Sequence, residues 1–350
     1  MIDNQYIQKG LRAGALFAAI VLACGSAAAQ EKLVVTSFGG EFEKLHRKNV
    51  IEPFEKKYNV QVQVVTSYSA DALASLRAQK AAPQIDVVHF SAGHEAIAAR
   101  EGLLTPMTAD EVPNIKNLYA FGATGLARGE GPVMLVAAVG LLYNKDKMER
   151  PTKWSDLWSG KAPDNRVLVD IATNGYGLLS FLMINKVSGG DLNNIEPGLK
   201  TVEQILDKAT LVSTTPELQA SVAQGNCWLS AFSQDYIYVM SKAGLPVDFV
   251  KPEEGTAGSF LTANLVAGRP NQDLARKFID FELSKEVQEM WAREMRYSPS
   301  NKTVQLDPNL AKLLVYGDEE VAKLVRFEPL GIAENLPRWV EDWKRRVTKS

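Results

Sequence analysis

Apolar residues along this chain recur with two different periods, and the two alternate. Leu33, Val34 and Val35 form a short β-branched run within 32–37, the mark of a strand. From 41 to 58, Phe42, Leu45, Val50, Ile51 and Phe54 fall at near-helical spacing. Val60, Val62 and Val64 then alternate with Gln61, Gln63 and Val65, which predicts a half-buried strand. Helix formers fill 70–82 and stop before Pro83, a strand is expected over 85–90, and a helix over 94–101. Strand, helix, strand, helix, strand is the order of a parallel sheet with helices on its faces.

A second α/β series follows. The β-branched run 133–143 reads as a long crossing strand, and 258–268 as a second. Between them the pattern predicts a helical turn at 154–158, strands at 166–170, 227–231 and 247–250, and helices at 176–187, 201–207, 216–224 and 233–242. The tail is helical over 273–293 and 333–344, and no internal repeat is visible. The fold class is therefore α/β, with helices and strands alternating in both halves.

The first 30 residues do not belong to this pattern. Lys9 and Arg12 precede an apolar stretch reaching Cys24, and small residues follow at Gly25, Ser26 and Ala27-Ala28-Ala29. Charged, apolar, then small is the order of a secretory signal peptide, with cleavage expected after Ala29. The apolar run is shorter than the roughly 20 residues a spanning helix needs. Val21-Leu22-Ala23-Cys24 is a loose lipobox, so lipid anchoring at Cys24 is the alternative. Export across the inner membrane into the periplasm is expected.

Composition narrows the classes further. At 350 residues with 46% apolar and 23% charged side chains, the chain can bury a sizeable core without disulfides. A formal net charge of −2 gives no basic excess for nucleic acid. Once Cys24 leaves with the signal, Cys227 has no partner and reads as a buried structural thiol.

Catalysis would require a nucleophile with its base, paired carboxylates or a metal cluster, and none occurs at convincing spacing. Of the three histidines, His46 in His-Arg-Lys reads as a surface residue of its helix. His89 alternates with apolar residues and reads as a satisfied sheet residue, and His94 is placed to face a ligand. No metal and no cofactor are expected.

The informative positions are strand-to-helix turns, because ligands of open α/β sheets bind beyond the carboxyl ends of strands. Four such turns stand out. Ser37-Phe38-Gly39-Gly40 combines an apolar wall with close backbone approach; the second is Ser91-Ala92-Gly93-His94. Thr173-Asn174-Gly175-Tyr176 repeats the glycine pattern, and Ser233-Gln234-Asp235-Tyr236 adds an acid. Helix capping uses the same residue types, so it is their recurrence in both halves that carries weight.

Several phrases resemble a known family. They are Val50-Ile-Glu-Pro-Phe-Glu-Lys-Lys-Tyr-Asn-Val-Gln-Val, Asp86-Val-Val-His-Phe-Ser, Leu142-Tyr-Asn-Lys-Asp with Pro151-Thr-Lys-Trp-Ser-Asp-Leu-Trp, Ala243-Gly-Leu-Pro-Val-Asp-Phe-Val, and Tyr297-Ser-Pro-Ser-Asn. Together they resemble the type II solute-binding proteins of ABC importers, in the spermidine/putrescine-binding group, over essentially the whole mature chain. The resemblance implies a two-lobed periplasmic binding protein fold with crossing hinge strands and a ligand cleft between the lobes. Lobe 1 would be 30–138 plus 262–303, and lobe 2 would be 139–261 plus 304–350, after a signal peptide at 1–29. It also implies a monomer that closes on a small-molecule solute and docks onto an inner-membrane ABC permease and its ATPase.

Carried over position by position, the resemblance changes the expected solute. Polyamine binders hold ligand amines with cleft carboxylates. Here the returning strand reads Leu261-Thr262-Ala263-Asn264, with Ala263 at the acid position, and Thr173-Asn174-Gly175-Tyr176 carries no acid either. Asp235 alone offers a negative charge. A dication would leave an amine desolvated and unpaired, at a cost of several kcal/mol. Glycine-rich helix starts suit a carboxylate or phosphonate instead, and Asp235 could hold one amine. The expected ligand residues are Ser37, Phe38, Gly39, Gly40, Ser91, His94, Thr173, Asn174, Gly175, Tyr176, Ser233, Asp235, Asn264 and Tyr297. Polyamine binding remains an alternative, as does ferric iron, although Tyr236 and Tyr238 would point about 200° apart on a helix. A secreted enzyme on the same fold is the alternative class.

Overall fold

The computed structural model describes residues 31–159 and 164–348. The signal-peptide and Cys24 expectations lie outside the described residues. In chain order, β1 (Lys32–Ser37) leads to α1 (Glu41–His46), a wide π turn (Arg47–Ile51) and α2 (Glu52–Tyr58). Then come β2 (Gln61–Thr66), α3 (Ser69–Ala78), β3 (Val87–Phe90), α4 (His94–Arg100) and the long β4 (Val133–Asn144). β5 (Arg166–Val169), α5 (Gly175–Val187), α6 (Glu196–Glu203), β6 (Ala209–Val212), α7 (Thr215–Ala223), β7 (Leu229–Ser233), α8 (Gln234–Lys242) and β8 (Val247–Val250) build the second half. β9 (Ala257–Leu265) returns, followed by α9 (Gln272–Glu282), α10 (Lys285–Met295), β10 (Ser298–Pro299), α11 (Pro308–Leu313), α12 (Asp318–Ala322) and α13 (Pro329–Arg346).

The strands order as β2-β1-β3-β9-β4-β7-β5-β6, with β8 and β10 also pairing to β4. β1 runs parallel to β2 and β3, and β5 runs parallel to β6 and β7. Between these parallel triplets lie β9 and β4, antiparallel to each other and to the strands beside them. These are the two crossing strands expected from the apolar runs. All twelve residues of β4 are buried, because it is covered along its whole length. Gly140 within it is required by packing: a Cβ there would sit 2.4 Å from the Val250 carbonyl of β8.

The largest apolar cluster joins Leu33, Phe42, Phe54, Phe278 and Trp291 and extends to Phe232 and Met240. A second gathers Trp154, Phe181, Leu199, Trp339 and Trp343, so the C-terminal helix α13 is built into the core of the second half. The two parallel triplets and their helices thus form two halves joined by β9 and β4.

The helix expected over 201–207 instead spans Glu196–Glu203, α11 and α12 were not expected, and the structure departs from the sequence reading in further places. The helix expected over 41–58 contains a π turn directly before Pro53; proline has no N–H to donate, so the regular bond pattern cannot continue through it. The helix expected over 273–293 breaks at Leu283–Ser284, where Ser284 turns extended (ψ 152°) and starts α10. β6 was not expected; it is a four-residue edge strand with mixed burial and no clear alternation. His46 is not on the surface but wholly buried. It sits four residues after Phe42 and four before Val50, on the inner stripe of its helix, and the adjacent Arg47 and Lys48 point outward.

Candidate functional site

Where the two parallel triplets face each other, their strand-to-helix turns enclose a cavity of about 210 Å³. That is below the range of about 300–1,000 Å³ usual for drug-sized ligands. From the first half come Phe38 after β1, Tyr68, Ser69, Ala70 and Asp71 at the start of α3, and Ser91 and His94 between β3 and α4. From the second half come Ile171 to Tyr176 and Leu178 around the start of α5, Thr215 at the start of α7 and Tyr236 of α8. Leu261 of β9, Tyr297 and Leu336 of α13 complete the wall.

Of the expected ligand residues, Phe38, Ser91, His94, Thr173, Asn174, Gly175, Tyr176 and Tyr297 are brought together in this wall. Ser37, Gly39, Gly40, Ser233, Asp235 and Asn264 are not part of it. Each has a physical reason. Ser37 is fully buried with its hydroxyl 2.9 Å from His46 Nδ1. Gly39 lies under the Tyr68 hydroxyl, which a Cβ would meet at 3.1 Å, and Gly40 (φ +71°) makes the turn into α1. Ser233 ends β7 inside the core. Asn264 is spent on the sheet: its Oδ1 accepts from Gly131 N at 2.7 Å, and its Nδ2 donates to Val88 O and Thr262 Oγ1. Asp235 lies one layer behind the wall.

Tyr176 joins that inner layer to the cavity. Its hydroxyl lies 3.2 Å from the Tyr297 hydroxyl and 3.4 Å from Asp235 Oδ2. Asp235 is fully buried and its Oδ1 has no partner, so burial pushes its carboxyl up to about 6. Burial likewise raises both tyrosine hydroxyls well above their ordinary range, which keeps them as neutral donors. Asp235 is therefore a receiver for tyrosine protons, not a free anion in the cleft.

The helix starts differ in what they leave open. Asn174 caps α5, accepting from Tyr176 N and Gly177 N, and Thr214 caps α7 through Glu217 N. The starts of α3 and α4 have no side-chain cap, so their first N–H groups lack a side-chain acceptor, and Ser69–Asp71 and His94 at these starts line the cavity. Asp71 in that first turn is the single acid of the wall, and among the described residues no lysine or arginine lines it. His94 Nδ1 donates to the Ser91 carbonyl at 2.8 Å, and burial lowers its pKa, so the neutral ring keeps Nε2 as an acceptor.

Sequence reasoning missed the 68–71 segment and Thr215. The 68–71 segment follows β2, an expected strand, so the strand-to-helix rule applied to that turn would have reached it; Thr215 follows β6, which the apolar pattern did not show. Leu336 had no local signal, since α13 reaches the cleft only through packing on the second core. Elsewhere, His46, His89 and Glu282 come within 4.8 Å of one another, a cluster of metal-binding residue types that spacing in the sequence could not show. Their contacts are hydrogen bonds of 3.0 Å, and we read the set as a buried charge cluster.

Comparison with known proteins agrees with this architecture. The sequence profile of the bacterial extracellular solute-binding protein family matches residues 49–314. The chain is 25% identical over 304 residues to a gamma-aminobutyric acid-binding protein of Pseudomonas aeruginosa, covering 81% of each. It is 22% identical over 334 residues to the spermidine/putrescine-binding periplasmic protein of Escherichia coli, covering 88% of this chain and 90% of that one. A crystal structure of an ABC transporter from Clostridium perfringens superposes with a TM-score of 0.72 at 26% identity, over 90% of this chain and 99% of that chain. Among the described residues no helix is long and apolar enough to cross a membrane. Proteins of this kind deliver small solutes to membrane permeases. A two-lobed fold with a compact cleft at the strand ends, matched by the family profile across most of its length, means that this chain belongs to the bacterial extracellular solute-binding protein family and serves as the solute-binding component of an ABC transporter.

Proposed function

We propose that the solute is a compact amino carboxylate, captured in the periplasm and handed to an inner-membrane permease. The observation that carries this reading is the make-up of the cavity wall: one acid, Asp71, beside the uncapped start of α3, with no lysine or arginine and five aromatic rings. An uncapped helix start favours a carboxylate. Asp71 and the faces of Phe38, Tyr68, Tyr176, Tyr236 and Tyr297 favour an ammonium group. The likeness to a protein named for gamma-aminobutyric acid points the same way. A polyamine would bring two or more ammonium groups to one carboxylate, leaving the second desolvated without a partner.

We place the lobes at 30–138 plus 262–303 and at 139–261 plus 304–350. Solute contacting Asp71 on one side and Thr173–Tyr176 on the other holds the lobes together, which is how binding shifts the population to the closed form. Calorimetry against 4-aminobutyrate, other short amino carboxylates, simple carboxylates, putrescine and spermidine tests the reading. It requires an amino carboxylate to bind most tightly. Tight spermidine binding with no response to amino carboxylates would sink it.

A further inference from the structure

Behind Phe38, outside the cleft wall, three ionisable side chains meet in the core: His46 of α1, His89 of β3 and Glu282 of α9, exposed by 0%, 1% and 2%. Their protonation follows from their neighbours. His89 Nδ1 lies 2.7 Å from the Thr36 carbonyl, which can only accept, so this nitrogen carries a proton. His89 Nε2 lies 3.0 Å from both oxygens of Glu282, and His46 Nε2 lies 3.0 Å from Oε1. A carboxylate facing two ring nitrogens needs a proton on each line. His46 Nδ1 lies 2.9 Å from the Ser37 hydroxyl, and because burial disfavours a charge on this ring it is the unprotonated nitrogen and accepts there. The consistent state is a His89 imidazolium, a Glu282 carboxylate and a neutral His46, a buried set with no net charge.

The electrostatic directions agree. Burial pushes His46 down. Burial also opposes charge on His89, but Glu282 outweighs it and raises that histidine, and the two histidines hold Glu282 down at about 2 despite its burial. Glu43 is the other charged group acting on His46; the remaining neighbours of its ring are Phe42, Phe278 and Trp291.

We infer that His46, His89 and Glu282 are positioning residues for the solute cleft, acting through a shared proton network without touching solute. The cluster ties together the elements that carry the first half of the wall. β1 ends at Ser37, whose hydroxyl it engages, and Phe38 follows directly into the cavity. β3 ends one residue after His89, and Ser91 and His94 follow into the cavity. α9 anchors both through Glu282. Ser37 is thus a link between core and cleft, which is why its hydroxyl is unavailable to solute. The inference holds for whichever solute the cleft takes.

Ring-nitrogen NMR of the uniformly ¹⁵N-labelled protein tests the network without solute. His89 should show two protonated nitrogens at pH 7, and His46 a proton on Nε2 alone. In Glu282→Gln and in His46→Asn, amide exchange at 37–40 and 90–94 should rise about tenfold while the second-half core stays protected. His46→Gln, which keeps a donor near Glu282, should restore part of that protection. With 4-aminobutyrate, or the tightest binder of the panel, both disabling variants should weaken affinity about tenfold. A neutral His89 in the wild type, or unchanged exchange in folded variants, overturns the inference. So does stoichiometric zinc that removes both Nε2 protons and raises the melting temperature, since a metal would then replace the proton. If Glu282→Gln does not fold, the wild-type spectrum and His46→Asn decide.

Discussion

The hydroxyls of Tyr176 and Tyr297 lie 3.2 Å apart in the wall of the solute cavity, one at the start of α5 and the other beside β10. Their contact links residues 121 positions apart, one in each of the two lobes we propose, and on that assignment we propose that it favours the closed state. Replacing Tyr297 by Phe removes one net hydrogen bond, worth about 1 kcal/mol, and should weaken solute binding roughly fivefold. Titration calorimetry on wild type and Y297F checks this; unchanged affinity would mean the pair does not contribute to closure.

Asp71 is the single carboxylate of the wall. Asp71→Asn keeps shape and removes charge. It should weaken an amino carboxylate roughly tenfold while leaving a simple carboxylate of equal length unaffected or bound slightly better. Equal losses for both ligands would remove Asp71 from the amine-binding role.

Asp235 sets a pH dependence of stability. Burial raises its folded pKa to about 6, above its ordinary value of 3.8, so the folded state binds more protons than the unfolded state between these values. Stability contributed by the protonated acid is fully present below about pH 4 and is lost as pH rises through about 6. Asp235→Asn, which still accepts from Tyr176, should melt higher than wild type at pH 8, and the difference should shrink to nothing near pH 4. A constant difference across that range would show that ionisation is not the cause.

Trp343 is 1% exposed and meets Phe181 edge to face, with ring centroids 5.3 Å apart. It fastens α13 to the second core. Trp343→Ala should cost about 3–5 kcal/mol, read as a lower denaturant midpoint at an unchanged m-value. Because Leu336 on the same helix lines the cavity, affinity should fall as well.

The particular elements show where local pattern suffices. β1 and β8 lie where their apolar runs place them, and β4 extends its run by one residue; β4 is buried along its whole length, and such a strand writes its boundaries into consecutive apolar side chains. The break at Leu283–Ser284 and edge strand β6 escaped, since a helix can restart without changing its apolar spacing and a short edge strand has little to bury. Half of the cleft was legible for a related reason: Phe38, Ser91, His94 and 173–176 follow strand ends, and strand ends face the cleft in this fold.

By itself the amino-acid sequence determined the α/β alternation, the two crossing strands, the family phrases and the turns from which a cleft could be built, because each depends on neighbours within a few residues. Only the tertiary structure decided which turn residues face the cavity. It sent Asn264 into the sheet and Ser37 toward His46, and it brought Asp71 into the wall. It also placed Glu282 against two histidines 193 and 236 residues away. These outcomes depend on long-range packing: a polar side chain in the core takes the partner that geometry supplies, and that partner has no fixed distance along the chain.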